Sequence, residues 1–305
     1  MAWGRSSRRE PAAQARSERA QAGKTSGDKV GWGFEEGAEI APGRTVLEPL
    51  GGGRRYDVYL VWDERLHALA VAKILRPDLL QDDSAVRKLQ REVELLERLA
   101  HPALVRSFDA VLDGPHPHLL LEHLDGPNLR RLVKQDGPLA VEDVLAIGSQ
   151  VAAALHYLSV EEVVHLDVKP SNVVLGDLSR LIDLGAARSL ETASRLLAPF
   201  GTDAYMAPEV CAAASSAARV GAAADIWGLG ATLYYASTGQ VPFPRAASAK
   251  GDADPTVRFP QLVVQPERMP NYVPAPLETL LLRMLAPDQS DRPAAAEVGD
   301  ELAEL

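Results

Sequence analysis

The chain of 305 residues holds one cysteine, Cys211. That excludes an intramolecular disulfide and, with it, a small secreted domain braced by disulfides. A buried apolar role for Cys211 and a reducing, cytoplasmic location are the expectations that follow. Net positive charge is lacking as well. The total is −10, so no overall field draws in phosphate backbones, and no nucleic-acid partner is expected. Long apolar runs are scarce. The longest, Val220 to Ala236, is interrupted by Asp225 and rich in Gly and Ala, which fits a buried core helix and not a membrane span. No apolar stretch follows Arg8-Arg9 before residue 38, so a secretory leader is not expected.

What is present is an ordinary globular composition, 46% hydrophobic and 24% charged, in a chain long enough for a two-lobed core. Residues 1–30 carry seven Arg or Lys and three Asp or Glu, so the remainder is more acidic than the total. Small and polar residues dominate to about residue 38, and a disordered basic tail is expected over 1–38. Gly23-Lys24-Thr25 imitates the end of a phosphate-binding loop, but Glu18 stands where that motif needs glycine, and no strand precedes it.

From Thr45 the texture changes. Thr45–Leu50, Tyr56–Trp62 and Ala68–Leu75 are rich in β-branched and aromatic residues and read as three antiparallel strands. Over Ser84 to Ala100, Val86, Leu89, Val93, Leu96 and Leu99 recur at helical spacing, with Ser84 as the expected N-cap and His101-Pro102 as the stop. Further strands are expected near Leu104–Asp109 and His118–Glu122. Beyond residue 126 the pattern is helical: Val141–Val160, Asp225–Ser237, Leu277–Leu285 and Ala294–Leu305, with proline-rich connections over Val241–Pro276. The expected fold class is α+β: a small β-rich lobe with one helix, a joint at 122–126, and a larger helical lobe.

The polar residues inside apolar stretches carry the chemistry, because unpaired polar groups there are expensive. Leu50-Gly51-Gly52-Gly53 lies between two predicted strands, where glycine lets backbone approach a phosphate. Lys73 interrupts the run Leu69 to Leu75, and Glu92, nineteen residues on, borders the buried stripe of the predicted helix. Asp167, Lys169, Asn172 and Asp183 follow within a hydrophobic region. Together they supply a base, a cation and two oxygen ligands suited to Mg²⁺. Phosphoryl transfer needs that set, since its demands are positioning, charge neutralisation and an oriented nucleophile.

With these residues in place, the sequence over 44–305 resembles the eukaryotic-type (Hanks-type) serine/threonine protein kinase family. His165-Leu166-Asp167 with Asn172 resembles its catalytic loop, Asp183-Leu184-Gly185 its metal motif, and Gly201-Thr202-Asp203-Ala204-Tyr205-Met206-Ala207-Pro208-Glu209 the end of its activation segment. The resemblance implies a bilobal fold, with a small lobe over 44–121, a hinge over 122–126 and a large lobe over 127–305. It implies ATP as phosphoryl donor, Mg²⁺ or Mn²⁺ on Asn172 and Asp183, catalysis by Asp167 with Lys169, Lys73 and Glu92, and protein Ser/Thr acceptors, this chain among them. It also implies an adenine site made by Leu50, Val58, Val71 and Val174, with Leu121 as gatekeeper and backbone contacts from Glu122 and Leu124. Thr202, Glu209, Asp225 and Arg292 take structural or substrate-positioning roles, with Arg292 paired to Glu209. The excess of Arg over Lys, 25 to 7, fits a GC-rich bacterial source. An ATP-binding scaffold without activity is the alternative, and the presence of Lys73, Asp167, Asn172 and Asp183 argues against it. A small-molecule phosphotransferase would lack the stretch ending in Ala207-Pro208-Glu209.

Two positions depart from the family pattern. Tyr56 stands where the third loop glycine is usual, with Arg54 and Arg55 at the tip as expected supplementary phosphate contacts. Leu166 replaces an arginine that in many relatives pairs with an activation-segment phosphate, and leucine has no charge to offer. Weaker dependence on phosphorylation of Ser189, Thr192, Ser194 or Thr202 is the expectation.

Overall fold

The computed structural model describes residues 31–214 and 219–305. Six antiparallel strands form one sheet in the order β1-β2-β3-β4-β6-β5, with β1 Glu39–Ala41, β2 Arg44–Gly52, β3 Tyr56–Asp63, β4 Ala68–Leu75, β5 Ser107–Val111 and β6 His118–Glu122. Helix α1, Asp83–Arg98, packs on this sheet. It begins at an Asp82 cap whose carboxylate accepts the amides of Ser84 and Ala85; Asp82, not the expected Ser84, is the N-cap. The predicted strand at Leu104 starts later, at Ser107, because Leu104 instead bridges Leu181.

Tyr59, Val61, Ala70, Ala72 and Ile74 point to the outer face of the sheet, where they form a small separate core. Trp32 and Phe34 cover it. The Trp32 indole N–H donates to the Leu75 carbonyl at 2.8 Å, its backbone N–H donates to Asp57 at 2.8 Å, and both rings meet His116 edge-on. The expected tail over 1–38 is therefore corrected for residues 32–38, which two aromatic anchors bind to the sheet. Residues 1–30 of that expectation lie outside the described residues. Coverage of both faces also explains why β4 reads as a nearly continuous apolar run.

The large lobe is built from α2 Leu129–Asp136, α3 Val141–Val160, α4 Ala223–Thr238, α5 Ala275–Met284 and α6 Ala295–Glu304. By length and apolarity α3 is the one described helix that could cross a membrane. Here its stripe of Val144, Ile147, Val151, Leu155 and Leu158 is buried, and it packs on α4 and α6 as a core helix. Short two-residue pairs carry the functional loops: β7 Val163–Val164 pairs with β10 Arg188–Ser189, and β8 Val173–Val174 with β9 Arg180–Leu181. The lobes join through residues 122–126. Gly126 has φ +142°, and a Cβ there would lie 1.7 Å from the Leu175 carbonyl oxygen, so only glycine lets the joint pass this close.

Candidate active site

Period-two alternation places Tyr56 and Val58 of β3 on the inner face of the sheet, where Val58 stands opposite Lys73. Lys73 is 8% exposed. Its ammonium donates to both Glu92 oxygens at 2.7 and 2.9 Å and to Asp183 Oδ1 at 2.7 Å. Burial alone would lower the lysine pKa, but the two carboxylates outweigh it and hold Lys73 above its usual value. The same charge pulls the Asp183 carboxyl down to about 2. Asp183 has φ +68°, a conformation that costs energy for a residue with a Cβ and that aims its carboxylate at Lys73.

Below this pair, a cavity of about 400 Å³ is lined by Leu50, Val58, Val71, Lys73, Leu121, Glu122, Leu124, Val174 and Asp183. Of these, Asp183 was expected as a metal ligand and the rest at the nucleotide site; Val105, His123, Gly126, Pro127, Asn128, Arg131 and Ile182 line the cavity as well and were not foreseen. The Glu122 carboxylate is tied away to Arg106 and Arg180, and its backbone N–H donates to the Arg106 carbonyl at 2.9 Å. The Leu124 backbone N–H and carbonyl have no partner among the described residues, which suits a planar heterocycle in an apolar slot. Gly51, Gly52 and Gly53 do not line the cavity; they are exposed, and the hairpin ladder continues through Gly51–Val58 and Gly52–Asp57. Tyr56 does not line the cavity, but it stands beside the lysine that does. Its ring lies 4.5 Å from the Lys73 ammonium, and burial raises its phenol to about 12.

Asp167 sits across the cleft on irregular backbone. Its Oδ2 accepts from Lys169 at 2.5 Å, and its Oδ1 accepts from the Thr202 hydroxyl at 2.7 Å, which in turn accepts from Lys169 at 2.8 Å. Asn172 Nδ2 donates to the Asp167 carbonyl at 3.0 Å. The preceding residues His165 and Leu166 give their amides to Asp225 at 2.7 and 2.8 Å, so a fully buried carboxylate on α4 shapes the loop. Leu166 has φ +65°. Opposite its carbonyl, Gly201 with φ +120° leaves no room for a Cβ. Glu209 and Arg292 form the expected pair, bidentate at 2.7 and 2.8 Å, with side chains 4% and 0% exposed.

A divalent cation fits the donor set. Asp183 Oδ2 and Asn172 Oδ1 have no partner among the described residues, and hard oxygen donors of this kind suit Mg²⁺, which takes its remaining ligands from phosphate and water. No cluster of three or more His, Cys, Asp or Glu able to hold a metal occurs among the described residues, so a site made of protein ligands alone is not what this cleft offers.

One further group had no signal in the sequence. Asp203, next to Thr202, is bound by Arg258 at 3.0 and 3.1 Å and by Arg245 at 2.8 Å. Those partners lie 55 and 42 residues away in the chain, beyond the reach of any local pattern.

Comparison with known proteins gives the same reading. Residues 44–301 match the protein kinase domain family. The chain is 32% identical over 269 residues to serine/threonine-protein kinase PknB of Mycolicibacterium smegmatis, covering 84% of this chain and 41% of that protein. It is 29% identical over 272 residues to PknB of Mycobacterium tuberculosis, covering 85% and 42%. Serine/threonine-protein kinase PkaA of Streptomyces coelicolor is 34% identical over 230 residues, covering 73% and 40%. The chain thus spans about two-fifths of the length of these relatives. With the Lys73–Glu92–Asp183 cluster above the cavity and Asp167 below it, the chain belongs to the protein kinase domain family.

Proposed function

We propose that the chain transfers the γ-phosphoryl group of ATP to Ser/Thr hydroxyls of protein substrates, itself included. The observation that carries this reading is the closed constellation around the cleft. Lys73 is simultaneously bonded to Glu92 and Asp183, while Asp167 and Lys169 are bonded to one another and to Thr202. A scaffold has no need to hold two lysines and four oxygen-bearing side chains at hydrogen-bond distance on two sides of an apolar slot.

The geometry supports the following roles. Lys73, held by Glu92, presents a fixed cation to the phosphates. Asp183 and Asn172 offer their open oxygens to Mg²⁺ or Mn²⁺, and the bound metal would neutralise charge developing between the phosphates. Asp167 accepts the proton of the incoming hydroxyl, and Lys169 stabilises the transferred group as it passes between them. Thr202 fixes the distance between the base and that cation. Leu50, Val58, Val71 and Val174 hold the adenine ring, and the Glu122–Leu124 backbone pairs with its edge.

The test is incubation of the purified chain with γ-labelled ATP and either Mg²⁺ or Mn²⁺, beside Asp183→Asn. Metal-dependent label on Ser or Thr of the wild type, absent in the variant, is the expected result. Nucleotide binding without transfer to the chain or to a generic protein acceptor would return the scaffold reading.

A further inference from the structure

Thr202 bridges Asp167 and Lys169, so whatever fixes residues 202–206 also fixes the distance between base and cation. In many kinases of this pattern an arginine beside the base would share that work, and here the position is Leu166. The Ser189 and Thr192 hydroxyls bond only to one another and to local backbone. The protein supplies a different restraint. Asp203 receives a fork from Arg258 and a third bond from Arg245; Arg245 also donates to the Arg258 carbonyl at 2.8 Å. The Gln261 amide donates to the carbonyls of Asp203 and Met206 at 2.8 and 2.9 Å. Arg258 lies over the ring of buried Phe259 at 4.7 Å, which orders the guanidinium before it meets the carboxylate. Burial would raise the Asp203 carboxyl, but the bonds from Arg258 and Arg245 outweigh it and hold the group ionised below its usual value.

We propose that Asp203 is a positioning residue for phosphoryl transfer: clamped by Arg245 and Arg258, it holds Thr202 against Asp167 and Lys169 without any phosphate on the activation segment. The inference rests on the kinase reading given above. It makes the protein's own carboxylate the anion that organises this loop, with cations drawn from the proline-rich connection after α4. A phosphate-dependent arrangement would instead draw on Arg55, Lys88, Arg91 and Arg188, cations near enough to repel one another, and phosphatase treatment separates the two.

The experiment uses the full chain, stripped of phosphate by phosphatase and checked by intact mass. Initial rates on a protein acceptor are compared for wild type, Asp203→Asn, Asp203→Glu and Arg258→Met, with nucleotide affinity measured by calorimetry on each. Stripped wild type should keep its activity. Asp203→Asn should lose between about tenfold and a hundredfold in kcat, the scale of a small misplacement of catalytic groups, with KM for ATP and nucleotide affinity within about twofold of wild type. Asp203→Glu should recover most of the loss, which a purely structural role does not require. Unchanged kcat in Asp203→Asn overturns the proposal, as does parallel loss of nucleotide binding in both Asp203 variants. Wild type that is active before phosphatase and inactive after it overturns the clamp and leaves the kinase reading standing. Wild type that binds nucleotide but transfers nothing in either state overturns the kinase reading itself.

Discussion

The two walls of the cleft are held in place by different means. On the sheet side, Lys73 stands in β4 between Val58 and Leu119 in a continuous antiparallel ladder, and Glu92 lies on the buried face of α1. Many backbone bonds share the task of placing them. On the helical side, Asp167, Asn172, Thr202 and Glu209 sit on short irregular segments, two of whose neighbours, Leu166 and Asp183, have left-handed backbone. Their positions depend on single carboxylates and guanidinium forks: Asp225 on the amides of 165 and 166, Arg258 on Asp203, Arg292 on Glu209. Regular structure spreads the load over a lattice of weak bonds, whereas the loop wall concentrates it in a few buried polar pairs, where losing one partner leaves a desolvated charge.

That contrast can be broken most sharply at Lys73. Lys73→Met should reduce transfer on the order of 10³-fold, the scale of losing one preorganised electrostatic contact, while the sheet stays folded. Hydrogen exchange should then show α1 opening faster and the β3–β4 ladder unchanged; equal loosening of both would mean that the sheet does not hold its own geometry.

On the loop wall the cost should fall on stability. Arg292→Met leaves Glu209 buried without its partner and should cost about 3–5 kcal/mol, lowering Tm by roughly 10 °C in a thermal melt. The exposed pair Glu191–Arg195, with side chains 74% and 75% exposed, is the control: Arg195→Met should change stability by less than about 1 kcal/mol. Similar shifts for both would deny the concentration of load in buried pairs.

The outer cover of the sheet should matter less. Trp32 is only half-buried, and Trp32→Ala should cost about 2 kcal/mol in denaturant unfolding, below the range for fully buried Trp. Smallest of all is the hairpin tip. Arg54→Ala with Arg55→Ala should raise KM for ATP about threefold with kcat unchanged, since Arg54 is exposed and Arg55 only partly covered and charges near water contribute little; an unchanged KM would remove these arginines from the phosphate site.

How far the sequence could be read follows from the same division. The β-branched runs of 56–62 and 68–75 and the stripe of 86–99 declare their elements because period two and period 3.6 are local properties. The polar residues at 73, 167, 172 and 183 stand out because each interrupts an apolar setting, and Glu92 because it borders the apolar stripe of its helix. Trp32 and Phe34 were not legible, being two aromatics among glycines and charges whose partner surface lies on strands that follow. Tyr56 was visible as a departure, and its shared face with Val58 could have shown that the ring points at Lys73. Asp203 gave no signal, since its value depends on arginines that a proline-rich connection carries back to it.

By itself, then, the sequence determined the two-lobed α+β architecture and the identity of the cleft's charged residues, because alternation, helical spacing and the cost of burying polar groups are written within a few positions of each residue. Only the tertiary structure decided what holds those residues in place: the aromatic cover over the outer sheet, the ring above Lys73, and the arginines on Asp203. Each of these is a contact between segments far apart in the chain, and its energy exists only once folding has removed water from between them.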